Sequence, residues 1–342
     1  MTRHGSYSAN GILYGHQNIH AIHKGRVTVQ HEIGGVLKAL GTRNYEIRGN
    51  PQTKFSKPAT IGDGQKGSIA FCSSKKIPNA IEVIKKSKAS VILVDRTIRI
   101  AGLAAKGKAI VAVENPQLTY MRILKKCFPQ EVKKREIHPS SIVHKEAKIH
   151  PSVYIGPNCI IGECRIGANS IIHANVAIDD GVSIGKHVTI YPYCLIGYTG
   201  FGHIRNENGE WENFPHYGGV IIEDNVEVFP FTNIDRGALG DTRIGRGTKI
   251  DHFCHIGHNV SIGTNSMIAA CTVVAGSARI GDDVYVAPNC TIRDYLHIGD
   301  KSFIGMGAVV TRDVPRGIVV VGNPARPFNP RSRLSARQRR QR

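Results

Sequence analysis

Residues 251–263 read DHFCHIGHNVSIG and place His252, His255 and His258 at three-residue spacing, with Asp251 directly before them. Imidazole in such an array has two chemistries open to it. It can ligate a metal, or it can serve as a general base, because it titrates near neutral pH. A third reading is plain surface decoration. The backbone that carries the three side chains decides among them.

That backbone has a period of six. Ile or Val stands at 244, 250, 256, 262, 268, 274, 280, 286, 292, 298, 304 and 310 without a miss. Ile222, Val228 and Ile234 precede this run, separated from it by a four-residue insertion within RGALGD. Upstream, the series Ile137, Val143, Ile149, Ile155, Ile161 and the series Ile166 to Ile196 keep the same period, with one five-residue step between Ile161 and Ile166. Neither a 3.6-residue helix nor strand alternation generates such a pattern. One short strand and one corner per hexad does, with the aliphatic pointing inward. Glycine, Asn and Asp recur where a corner needs unusual backbone angles. Three hexads close a triangular coil, so residues eighteen apart stack at about 4.8 Å.

The 342 residues carry 45 basic and 26 acidic side chains, a net charge of +19. That balance favours a polyanionic partner, whether phosphorylated substrate, acidic carrier, membrane surface or nucleic acid. Neither a nucleic-acid-binding aromatic sheet nor a zinc finger accompanies the charge, so no nucleic-acid partner is expected. Eight cysteines without a CxxC pair fit reduced thiols. The N-terminus lacks the apolar core of a signal peptide, and no apolar run is long enough to span a bilayer. A soluble, cytoplasmic protein is the expectation.

Four regions follow. Residues 1–57 form an extension of uncertain structure. Residues 58–130 read as a small α/β domain: SIAFCSS and ASVILVD are buried strands, and IPNAIEVIKKSKA between them is a helix with Ile77, Ile81 and Ile84 on one face. Residues 137–322 are the hexad prism. Residues 323–342 are a basic tail with six arginines in the last twelve positions, read either as a solvated end or as a contact for a phosphorylated or acidic donor. The register breaks at GYTGFGHIRNENGEWENFPHYGG, residues 197–219, which holds the sole tryptophan, Trp211, and reads as a binding wall or an oligomer contact.

The hexads resemble the bacterial hexapeptide-repeat acyltransferases, which implies a mainly β fold, a left-handed parallel β-helix, and a homotrimer. The whole pattern, above all IDRGALGDT followed by IGHN, is similar to the UDP-3-O-acylglucosamine N-acyltransferases of lipid A synthesis. The likeness spans roughly Pro58 to Arg312. It implies transfer of a 3-hydroxyacyl chain from acyl carrier protein to a sugar amine, with no bound cofactor. It also assigns the general base to His258. Eighteen residues on, the backbone N–H of Gly276 falls one coil above and suits a tetrahedral oxyanion. Asp251 is an orienting or sugar-contacting group. His252 lines the substrate pocket or fills an ordinary polar corner, and Asp235 with Arg236 meets the substrate or forms a structural turn. His255 should point outward from a flat face. Three such directions on one subunit do not close on a metal ion.

Departures from that family are visible too. In FCSSKKI, residues 71–77, Phe71 and Lys76 remain for the nucleotide, but Ser74 and Ile77 stand where Asn and Tyr are usual. Tyr295 replaces a second histidine. Tyr295 and Arg326 are the expected donor contacts, and the ending GNPARP is commoner among enzymes that use acyl-coenzyme A. Competing readings are therefore an acyl-coenzyme A-dependent short-chain transferase on an aminodeoxy sugar and a non-catalytic hexapeptide scaffold.

Overall fold

The computed structural model describes residues 29–74, 77, 79–103, 107–129 and 135–328. Lys76, the arginines from Arg331 onward and residues 1–28 of the N-terminal extension lie outside these described residues. The chain divides into two compact units, residues 1–132 and 133–342.

The first unit is an α/β layer. Its sheet runs in the order Glu46–Arg48, Ala109–Val113, Val91–Asp95, Ser68–Cys72, Lys57–Pro58, with the first pair antiparallel and the rest parallel. The central strands are buried on both faces, which is why they read as unbroken apolar runs. Ile69, Val91, Leu93 and Val111 pack one face against Ile33, Leu37 and Ile123. Ala70, Ile92, Val94 and Ile110 pack the other against Ile84. Helix Pro116–Cys127 starts with proline in its first turn, and the Asn115 side chain accepts from Leu118 N–H at 2.9 Å.

Two details differ from the sequence expectation. Residues before Pro58 belong to the layer, supplying helix Ile33–Ala39 and the edge strand Glu46–Arg48. The helix between the first two central strands is Ala80–Lys86, and its buried residues are Ala80 and Ile84. Ile81 is 48% exposed. It stands one position round from Ala80, about 100° off the buried stripe.

The second unit is a parallel β-solenoid. Its three sheets have ten, nine and eight strands, all pairs parallel except the terminal Val319–Val321 with Arg326–Pro327. Coil stacking follows the eighteen-residue register: Arg243 pairs with Ser261, and Ser261 with Arg279. The five-residue step is absorbed, since Ile149 pairs with Ile166. Ile196 pairs with Ile234, so residues 197–219 are carried outside the coil. The inward Ile and Val side chains form one continuous core. Each fully buried aliphatic contributes roughly 1.5–3 kcal/mol.

The corners hold a surprise. Asn158, Asn175 and Asn289 take the left-handed conformation at one edge, as small polar residues do. Tyr193, Phe231 and Phe253 take it at the same edge, with φ of 64°, 61° and 57°. Their rings stack at 5.0 Å in both steps and lie within 2° of parallel. Ring-on-ring contact along the coil axis offsets a backbone conformation that bulky residues ordinarily avoid. No helix among the described residues is long and apolar enough to cross a membrane.

Candidate active site

His255 and Ile256 form a strand of the nine-stranded sheet, and Ser261 and Ile262 form one of the eight-stranded sheet. His258 lies on the corner between them. Gly276 is on the next coil of the same corner, and the approach is close: a Cβ built on Gly276 would stand 2.6 Å from Nε2 of His258. Only glycine leaves the imidazole its place. No acceptor among the described residues takes the Gly276 N–H, so it remains available to a ligand.

The tautomer of His258 follows from its neighbour. Asn259 Oδ1 accepts from Ala238 N–H at 2.9 Å, and Asn259 Nδ2 donates to Gly240 O at 3.1 Å. These two bonds fix which way the amide faces. Oδ1 therefore meets His258 Nδ1, 3.1 Å away, and an oxygen acceptor requires Nδ1 to carry the hydrogen. Nε2, on the Gly276 side, is left with a lone pair. The insertion within RGALGD thus has a structural role: its backbone at 238–240 clamps the asparagine that sets the His258 tautomer.

Asp235 opens that insertion. It is 5% exposed, and Asn233 Nδ2 donates to its Oδ1 at 2.5 Å. His255 Nε2 lies 3.7 Å from its other oxygen, Oδ2. Burial pushes the Asp235 carboxyl above the usual carboxylate range, partly opposed by Asn233 and by His255, His258 and His216 around it. His255 does stand on a flat sheet face, as the hexad phase predicts. It is nevertheless no bystander, because Asn233, its strand partner one coil below, brings Asp235 up beside it.

Asp251 and His252 sit elsewhere, on the corner between the ten- and nine-stranded sheets. Asp251 Oδ1 meets His252 Nδ1 at 2.6 Å and accepts from its backbone N–H at 2.8 Å. Burial works against the charge of Asp251, but these bonds and the imidazole more than offset it, and its carboxyl is held below the usual range. Asp251 thus orients His252 and not His258. Two of the three histidines share a site within one subunit, and the third does not.

Other expected contacts spread along the chain. Tyr295 is 76% exposed and, with Asn259, Ser277, Arg279, Leu296 and His297, borders a cavity of about 700 Å³ above the His258 corner. Arg326 is exposed at the C-terminal end of the solenoid, its guanidinium on the Ala325 carbonyl. Phe71, in the first unit, packs against Tyr120 with ring centroids 5.1 Å apart. Arg236 turns its guanidinium to the carbonyl of Asp180 on another coil. In the excursion, strands His203–Arg205 and Trp211–Asn213 pair as a hairpin, with Arg205 stacked over the exposed Trp211. Its return segment brings His216 against His258, a contact that no spacing in the sequence announces.

Comparison with known proteins gives a consistent picture. Residues 163–198, 241–276 and 277–312 match the bacterial transferase hexapeptide (six repeats) family. The chain is 37% identical over 293 residues to a UDP-3-O-acylglucosamine N-acyltransferase of Delftia acidovorans, with 85% of each chain covered. It is 35% identical over 296 residues to one from Coxiella burnetii, covering 81% of this chain and 84% of that relative. Among solved structures, the UDP-N-acetylglucosamine O-acyltransferase of Moraxella catarrhalis superposes with a TM-score of 0.53 at 29% identity, over 59% of this chain and 77% of the other.

Proposed function

Since the chain belongs to the UDP-3-O-acylglucosamine N-acyltransferase family, we propose that it moves an acyl group from a thioester to the amine of a nucleotide-activated amino sugar. UDP-3-O-acylglucosamine is the proposed acceptor and a 3-hydroxyacyl group the cargo. One observation carries the reading: the Asn259 contact puts the hydrogen of the neutral His258 ring on Nδ1, and Nε2 packs against Gly276, whose N–H has no acceptor among the described residues.

The chemistry follows from that pair. The sugar amine attacks the thioester carbonyl carbon, and His258 Nε2 takes the amine proton as the C–N bond forms. The carbonyl oxygen becomes an oxyanion, and the Gly276 N–H, left without an acceptor, is its assigned donor. Collapse breaks the C–S bond. The departing thiolate takes the proton from the His258 imidazolium, and the base is restored. Asp235, buried beside His255 and near His258, favours the imidazolium formed midway.

Substrate contacts complete the proposal. Phe71 and Lys76 serve the nucleotide, Asp235 the sugar, and Tyr295 and Arg326 the donor, a thioester of acyl carrier protein or coenzyme A. The Asp251–His252 pair is on another corner, so it reaches this site only across a subunit interface. A homotrimer is the assembly proposed.

The test is direct. UDP-3-O-acylglucosamine is incubated with 3-hydroxyacyl thioesters of carrier protein and of coenzyme A, and products are read by mass spectrometry. An amide product with either donor, and none when the acceptor amine is already acetylated, supports the reading. Absence of amide with both donors refutes it.

A further inference from the structure

We propose that His216 is a positioning residue for His258, a buried neutral imidazole that holds the base in place and raises its basicity. The proposal rests on the reading of His258 as the base.

His216 ends the excursion and is 8% exposed. Its Nδ1 lies 2.8 Å from the carbonyl oxygen of Phe214, which only accepts, so Nδ1 carries the hydrogen. The opposite nitrogen, Nε2, is enclosed and has no hydrogen-bond partner among the described residues. A protonated ring would bury an N–H with nowhere to donate, so the neutral form is the one the site accommodates. The ring dipole then puts its negative end at Nε2.

That end lies beside the Gly200 backbone, which also lies beside His258. A Cβ on Gly200 would stand 2.9 Å from His216 Nε2 and 3.0 Å from the Cβ of His258. The Gly200 backbone therefore passes tightly over both imidazoles, and the two rings meet edge to face with centroids 5.2 Å apart. If packing were the sole need, Leu or Phe would fill the space without burying an unpaired lone pair. A buried lone pair on a ring in direct contact with His258 stabilises the imidazolium that appears when the amine proton is taken. The other titratable groups around the pair are Asp235 and His255, while the guanidinium of Arg236 is turned away to the Asp180 carbonyl.

The experiment compares wild type, His216→Leu, His216→Gln and Gly200→Ala. It measures kcat and KM across pH, His258 titration by NMR, and thermal melting. Removing a group that stabilises the cation lowers the pKa of the base, so the acid limb should move to lower pH. We expect His216→Leu to shift it by roughly half a unit and to lower kcat by about 10-fold. The acceptor KM should stay within about two-fold. Glutamine, which can place an amide oxygen where Nε2 was, should restore most of both. Gly200→Ala, which separates the rings and leaves both imidazoles present, should shift the limb the same way. An unmoved limb, or Gln no better than Leu, overturns the proposal. The NMR titration needs no substrate, so it separates failure here from failure of the acyl-transfer reading: a wild type without transferase activity refutes the latter, and an unshifted His258 refutes the former.

Discussion

Nε2 of His258 and the backbone of Gly276 are so close that one added carbon on the glycine would stand 2.6 Å from the nitrogen. Two hexapeptide coils, eighteen residues apart in sequence, thus bring the proposed base and the proposed backbone donor together. Gly276→Ala should fold, since the position is on an outward corner. It should push the imidazole aside and lower kcat by about 100-fold, the cost of misplacing a reacting group by an ångström. Steady-state kinetics with a matching melting curve checks this.

Asn259 sets which His258 nitrogen carries the hydrogen. Asn259→Asp puts a carboxylate opposite the Nδ1–H, favours the imidazolium, and should move the acid limb of kcat/KM to higher pH by roughly one unit. Asn259→Ala should leave the limb near its wild-type position and lower kcat by about 10- to 100-fold through lost orientation. A pH series on both variants distinguishes the two effects.

Asp235 predicts a stability change of opposite sign to its catalytic one. Its native pKa is raised above the ordinary 3.8, so the folded state disfavours the charged form. The resulting penalty is absent below the unfolded pKa, grows as pH rises through the native value, and is complete above it. Asp235→Asn should therefore melt higher than wild type at neutral pH, with the difference vanishing in acid, while kcat falls. Melting temperature against pH reads the first effect.

Asp251 behaves in the reverse sense. Its native pKa is lowered below 3.8, so its contribution to stability is present above that value and is lost as pH falls through the native pKa. Asp251→Asn should melt lower than wild type at neutral pH, and the two curves should converge in acid.

The sequence makes the solenoid legible because the period of six admits a single geometry, and each coil repeats the test of it. It makes Gly276 legible too, since adding eighteen to His258 is arithmetic on that repeat. What it hides lies where the repeat is broken. Asn259 is clamped by the insertion at 238–240, and His216 returns on an excursion of irregular length, so neither contact has a fixed spacing. Asp251 misleads for a local reason: it adjoins the histidine cluster in sequence, but each hexad turns to a new face, and its partner is His252. The corner aromatics are readable as residues and unreadable as a stack, because left-handed Tyr193, Phe231 and Phe253 run against intrinsic preference.

The most direct measurement of the central claim is single-turnover transfer by His258→Ala, with UDP-3-O-acylglucosamine and a 3-hydroxyacyl thioester both saturating. Assembly and melting temperature are recorded on the same sample. The account predicts an intact fold and a transfer rate lowered by about 10²- to 10⁴-fold, the range for a lost general base. A folded His258→Ala protein that forms the amide at close to the wild-type rate would contradict it.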